Sequence, residues 1–182
     1  MIATLASTKD ELLQIVQLSQ VNSKANITEQ EKNEQGFISW PYTIDLIEKM
    51  HQLHPSVIVK DGDKVVGYAL VALKAARQFH AEMEEMVSMV DKVPYNGKPL
   101  GDYNYYIMGQ VCVDKAYRGK GVFNRLYQKH KEVFQHQFDF IETEISVTNL
   151  RSIRAHEKVG FKTIYTYPFN NDEWNVVIWE WQ

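Results

Sequence analysis

The sequence predicts an α/β fold in which helices flank a mixed sheet, and three observations predict it. Apolar strand-like runs interleave with segments whose apolar residues recur at helical spacing, in the order β-α-α-β-β, β-α-β-α-β-β. Residues 107–123 read as a strand that stops, turns through Gly119 and Gly121, and restarts as a helix. At 182 residues and 45% hydrophobic, the chain suffices for one well-buried core and is short for two. We therefore expect one domain over residues 1–182, with an insertion at about 75–104.

The elements follow in order. Residues 1–5 start as a short strand, and a helix over about 9–19 carries Leu12, Leu13 and Val16 along one side. Residues 21–36 are polar, end in Gly36 and are expected to be mobile. Residues 37–42 form an aromatic cluster, after which Thr43 is placed to cap a helix running through His51. Strands over 56–60 and 64–73 flank Asp61-Gly62-Asp63, which is hairpin chemistry. In the long connection over 74–104, Met83, Met86, Val87 and Val90 stand at helical spacing ahead of a loop containing Pro94, Gly97 and Pro99. A central strand then ends at Val113, followed by a helix over 121–136, a strand over 138–147, a helix over 150–158, and closing strands near 161–167 and 174–181.

The glycine turn carries the chemistry. A helix that starts on a glycine turn leaves backbone N–H groups unpaired, and its dipole adds partial positive charge there, which together make an anion site. From Lys115 to Lys131 the chain has six Lys or Arg residues and no Asp or Glu, although its net charge is −3. Two glycines alone favour a plain turn beside a solvated lysine face, since short glycine patterns recur by chance. A triphosphate loop is excluded because Gly121, not Ser or Thr, follows Lys120, and the dinucleotide fingerprint because Asn124 stands at its third glycine.

Arg118-Gly119-Lys120-Gly121-Val122-Phe123 resembles the acetyl-CoA-binding motif of the GNAT family of N-acetyltransferases, Arg/Gln-x-x-Gly-x-Gly/Ala, departing from it at Phe123. Downstream, Asn149-Leu150-Arg151-Ser152-Ile153-Arg154-Ala155-His156-Glu157-Lys158-Val159-Gly160-Phe161 is similar to the family's Asn-x-x-Ala-x-x-x-Tyr-Glu-Lys-x-Gly-Phe, with Ser152 for Ala and His156 for Tyr. The resemblance covers about residues 105–167. It implies a twisted, mainly antiparallel mixed sheet with acetyl-CoA as co-substrate and no metal. The activity it implies is acetyl transfer to a primary amine of a small molecule or peptide.

The resemblance also implies a site. The pyrophosphate would lie on Arg118, Gly119, Lys120, Gly121, Val122, Phe123 and Asn124, and the pantetheine arm along Val111, Cys112 and Val113, with Gly109 marking a bulge where two parallel strands splay. Asn149 and Ser152 share a helix face with His156, which occupies the family's tyrosine position and is expected to donate a proton to the departing thiolate, with a pH dependence near ~6.5. A partly exposed histidine without a role fits that position as well. For the base, the family's histone-acetylating branch uses a position that here holds Ile107. Glu142 and Glu144 share one strand face, and Glu144 is the candidate, a salt bridge being its other fate. Acceptor recognition is expected from Trp40, Tyr42, Glu85 and Tyr103, since aromatics with carboxylates suit a cationic amine. A packed core with a solvated acidic face would use the same residues. The alternative activity is that of a non-catalytic acyl-CoA-binding or sensing module. Transfer of a longer acyl group or to a hydroxyl also stays open.

Composition bounds the rest. No stretch approaches the ~20 apolar residues that span a bilayer, so a cytoplasmic protein without membrane contact is expected. Cys112 is the one cysteine, which excludes an internal disulfide and favours an inert buried thiol, and the six histidines lack paired ligand spacing. With net charge −3 and no basic face beyond the glycine loop, nucleic acid is not an expected partner; a homodimer is compatible with the sequence.

Overall fold

The computed structural model describes residues 1–181, without the side chains of residues 33–35. Nine strands, β1 (Ile2–Leu5), β2 (Val57–Asp61), β3 (Lys64–Ala72), β4 (Pro94–Tyr95), β5 (Lys98–Pro99), β6 (Tyr105–Val113), β7 (Phe140–Ser146), β8 (Lys162–Phe169) and β9 (Asp172–Glu180), combine with six α-helices. These are α1 (Lys9–Val21), α2 (Glu29–Gln35), α3 (Ile44–Leu53), α4 (Ala81–Val90), α5 (Val122–Phe134) and α6 (Leu150–Val159). Seven strands form one sheet in the order β1-β2-β3-β6-β7-β9-β8, while β4 and β5 pair only with each other. Only β6 and β7 run parallel within that sheet; its other neighbours are antiparallel. The expected mixed, mainly antiparallel sheet is thus observed.

Alternation along the strands divides the core between two faces. Ile15, Leu46, Ile47, Met50, Tyr68 and Leu70 are buried on the face covered by α1 and α3. Val57, Val59, Val66, Tyr106, Ile141 and Val177 are buried on the other face against Val122, Leu126, Tyr127 and Phe134 of α5. That spacing along α5 is one apolar stripe.

Local chemistry sets the element ends. Thr8 and Thr28 each accept from the N–H three residues on, while Glu11 and Glu31 accept back from the cap N–H, so both helices start on capping boxes. The Thr28 box forms α2 inside the stretch expected to be mobile; the sequence contained it as Thr28-x-x-Glu31. Thr43 caps α3 as expected. Gly62 at φ 60° turns β2 into β3, and Asn170 and Asn171, both at positive φ, turn β8 into β9 as a two-residue hairpin loop prefers. The connection over 74–104 contains a 3-10 helix (Lys74–Phe79), α4 and the β4–β5 hairpin. No helix among the described residues is long and apolar enough to cross a membrane.

Candidate functional site

The parallel pair is short. Tyr105, Tyr106 and Ile107 pair with Phe140, Ile141 and Glu142, and beyond Ile107 the two strands separate. The Thr143 hydroxyl donates to the Met108 carbonyl at 2.8 Å, closing the narrow end of the wedge. On its other edge β6 meets β3 with Ala69 opposite Val111 and Val71 opposite Met108, so Gly109 and Gln110 together oppose Leu70. This is the bulge expected at Gly109. It reverses which face each later residue of β6 presents: Tyr106 and Met108 pack on the α5 side, whereas Cys112 joins the α1 side.

Residues 37–42 are bound across this wedge. Tyr42 Oη donates to the Gly109 carbonyl at 3.3 Å, and a Cβ on Gly109 would stand 2.7 Å from that oxygen, so glycine is what admits the ring. Gln110 Nε2 donates to the Trp40 carbonyl at 2.6 Å while its Oε1 accepts from Ser19 at 3.0 Å and from Tyr68. Opposite, Asn149 Nδ2 donates to the Phe37 carbonyl at 3.2 Å, and Asn149 Oδ1 caps α6 by accepting from the Ser152 N–H at 3.3 Å.

Between these walls lies a cavity of about 530 Å³. One half is lined by Val111, Ile145, Asn149, Ser152 and His156, the other by Trp40, Tyr42, Glu144, Trp174, residues 169–172 of the β8–β9 hairpin, and Glu82, Met83, Met86 and Val87 of α4. The anion loop opens onto the carboxyl end of β6. Gly119 and Gly121 hold φ of 74° and 79°, and Gly121 begins α5 with no side-chain cap, whereas a side chain caps each of the other five α-helices. Arg125 donates the first backbone bond of α5, to the Gly121 carbonyl at 3.1 Å. The N–H groups of Val122, Phe123 and Asn124 therefore precede the helical ladder.

Side chains near the loop hold it in place. Arg118 donates from Nε to the Val113 carbonyl at 3.3 Å and from its guanidinium to Asn22 Oδ1 at 2.7 Å, bracing the end of β6 against the end of α1. Lys120 is exposed beside the Tyr117 ring, and Lys115 pairs with Glu31. The Phe123 ring packs on Tyr127 and His156, with centroids 4.9 and 5.1 Å away. Cys112 is buried, and burial pushes its thiol up to about 12.

His156 matches neither the proton donor expected to titrate near neutrality nor the partly exposed histidine that was its alternative. It is 1% exposed, and burial lowers its pKa to about 4. Its Nδ1 lies 2.8 Å from the Ser152 carbonyl, which can only accept, so Nδ1 carries the proton; Nε2, 2.6 Å from Tyr127 Oη, accepts the tyrosine hydroxyl. The imidazole thus holds no free proton toward the cavity.

Glu142 and Glu144 share the sheet face covered by α4, as the alternation predicted. Glu144 lines the cavity and accepts from Tyr167 Oη. Burial raises its pKa to about 7, against the lowering effect of the tyrosine bond. Glu142 is wholly buried with neither carboxyl oxygen bonded, and burial, with the charges of Glu144 and Asp91, holds its pKa well above the usual range.

The structure does not bring Glu85 and Tyr103 to the cavity. Glu85 is on the exposed face of α4, the buried stripe being Met83, Val87 and Val90. Tyr103 packs on Tyr95 and Phe140 and donates to the Tyr95 carbonyl at 3.1 Å. Glu82, one turn nearer the start of α4, lines the cavity instead. Gln110 and Tyr167 are site neighbours without a motif; a glutamine inside the apolar run of β6 was the one visible signal.

The family model for the acetyltransferase (GNAT) family matches residues 21–161. The chain belongs to the GNAT family. Solved structures agree with this GNAT fold: ribosomal-protein-S18-alanine N-acetyltransferase from Escherichia coli is similar at TM-score 0.62 and 12% identity, covering 98% of this chain and 92% of that one. YncA from Salmonella typhimurium, a putative acetyltransferase solved with its cofactor acetyl-CoA, is similar at 0.64 and 16%, with 100% and 94% covered. The NatC complex bound to Gag peptide and CoA contains a chain similar at 0.66 and 14%, with 98% and 97% covered. No curated protein matches the sequence significantly.

Proposed function

We propose that this GNAT protein transfers the acetyl group of acetyl-CoA to a primary amine of a small molecule or a peptide, with Glu144 as the base. The observation that carries the reading is the cavity in the β6–β7 wedge, lined by Val111 of β6, by Asn149 and Ser152 of α6, and by Glu144, whose pKa burial raises to about 7.

Backbone N–H groups of Val122, Phe123 and Asn124 at the start of α5 would take the pyrophosphate, with Lys120 supplying charge. The backbone of Val111, Cys112 and Val113 on the separated edge of β6 would pair with the amides of the pantetheine arm, between it and Asn149 and Ser152 of α6. The amine would enter from the α4 side, past Trp40 and Tyr42. An ammonium cannot attack a carbonyl, and Glu144 near pH 7 is half ionised, matched to removing that proton. His156 is proposed as a positioning residue: the Ser152 carbonyl holds its proton on Nδ1, and its bond to Tyr127 ties α6 to α5 behind the reacting sulfur, which leaves as thiolate and takes a proton from solvent.

Incubating the pure protein with acetyl-CoA, a thiol reagent and a panel of amines tests the reading. Amine-dependent release of CoA supports it. Binding of acetyl-CoA with no release for any amine would favour the acyl-CoA sensor.

A further inference from the structure

The acceptor half of the cavity offers more negative charge and ring surface than one reacting amine uses. Three carboxylates line it. Glu144 is the proposed base. Asp172 is committed within the protein, accepting from Ser146 Oγ at 2.8 Å and from the Glu173 N–H at 2.9 Å. Glu82 is exposed on the first turn of α4, and among the described residues its carboxylate has no hydrogen bond or ion pair. Trp40 lies 4.7 Å from Tyr42 and 4.8 Å from His80 between centroids, and the Trp40 and Tyr42 rings line the cavity. Elsewhere in this protein lysines lie over rings, as Lys74 over Tyr105 and Lys98 over Tyr103; among the described residues none lies over Trp40, Tyr42 or Trp174. Among the described residues, the single Lys or Arg lining the cavity, Lys24, sits over Phe37 at 5.2 Å.

A monoamine surrenders its charge to Glu144 before it attacks, which leaves Glu82 and the ring faces nothing to bind. A second nitrogen that stays protonated satisfies both, by ion pairing and by the attraction of a cation to an aromatic face. A short aliphatic linker suits the apolar side chains of Met83, Met86 and Val87, which line the same cavity. We infer that the acceptor is a small aliphatic di- or polyamine, acetylated at the nitrogen near Glu144 while its distal ammonium is held by Glu82 and Trp40. This rests on the acetyl-transfer reading above. In the step, the Glu144 carboxylate takes a proton from the proximal ammonium and the freed nitrogen pair forms the C–N bond. The C–S bond breaks with its electrons on sulfur, and the second proton lost by nitrogen goes to solvent while the thiolate is protonated.

The test measures CoA release by the full chain, at saturating acetyl-CoA, with 1,4-diaminobutane, butylamine, 4-aminobutanoate and a short peptide with a free N-terminus. The expected result is that kcat/KM for diaminobutane exceeds that for butylamine by at least about tenfold, carried by KM, with 4-aminobutanoate poorest. Glu82→Gln, a change at an exposed position, should remove most of that preference and leave KM for acetyl-CoA unaltered, and Trp40→Leu should reduce it. Equal use of butylamine, a preference for the peptide, or an unchanged ratio in Glu82→Gln overturns the inference while acetyl transfer stands. Binding of acetyl-CoA with no CoA release for any amine overturns the transfer reading beneath it.

Discussion

Tyr127 on α5 donates its hydroxyl to Nε2 of His156 on α6 across 2.6 Å, with both side chains buried. The bond joins the helix that begins at the anion loop to the helix that lines the cavity, and it makes the histidine a neutral acceptor. Replacing His156 by Phe strands the buried Tyr127 hydroxyl, at a cost of about 1–3 kcal/mol. The variant should unfold at lower temperature, and adding Tyr127→Phe should recover part of the loss. Because His156 is neutral near pH 7, with its one proton held on Nδ1 against the Ser152 carbonyl, the pH profile of kcat should keep its shape in His156→Phe. Disappearance of a limb near pH 6.5 in that variant would instead identify His156 as the proton donor.

Burial of His156 has a thermodynamic consequence. Its pKa is about 4 when folded against 6.5 as a free side chain, so the unfolded chain binds more protons between those values. Stability is therefore full above pH 6.5 and falls as pH falls toward 4, by on the order of 3 kcal/mol from this residue. Urea titrations from pH 7 to 4 should show a decline that is shallower in His156→Gln. An equal slope in both proteins would mean that the ring titrates freely in the fold.

Glu144 should govern the acid side of the rate. With its pKa raised to about 7, kcat/KM for the amine should rise with pH through that region. Glu144→Gln should lower turnover by ~10²–10⁴-fold and leave KM for acetyl-CoA within a few-fold. The Tyr167 bond lowers that pKa, so Tyr167→Phe should move the limb to higher pH. An unmoved limb would place the base elsewhere.

The anion loop depends on its backbone. Gly121 has φ 79°, strained for any L side chain, and starts the one α-helix described without a side-chain cap. Gly121→Asp adds a Cβ and a negative charge where the pyrophosphate would lie. CoA affinity measured by calorimetry should fall by at least about a hundredfold, or ~2.7 kcal/mol. Unaltered affinity in a folded variant would refute the site.

Glu142 should cost stability as pH rises. Its pKa is raised by burial, so the folded chain holds a proton that the unfolded chain releases above pH 4.5. Stability from this group is therefore lost as pH climbs above that value. Glu142→Gln, neutral and similar in shape, should gain on the parent protein as pH rises from 5 to 9. Parallel curves would show that Glu142 is ionised in the fold.

Much of this was legible in the chain because it depends on local rules. Thr43 caps a helix wherever it stands before an apolar run, and Gly119 and Gly121 start α5 through their own φ values. The alternation of Glu142, Thr143 and Glu144 assigns both acids to one face, while Gly109 marks the bulge. The Thr28–Glu31 box is equally local, but it stands in a polar stretch with no apolar periodicity to announce a helix. What the tertiary structure decided are properties of neighbours distant along the chain. His156 reads as a titrating helix residue until Tyr127, 29 residues before it, meets its ring. Glu144 and Tyr167 come together only because β7 and β8 flank β9, and Glu82 rather than Glu85 reaches the cavity because Met83 and Val87 set the rotation of α4. Periodicity sets the face of an element on which a residue lies. Burial and packing between elements decide what that face meets, and hence its charge and its chemistry.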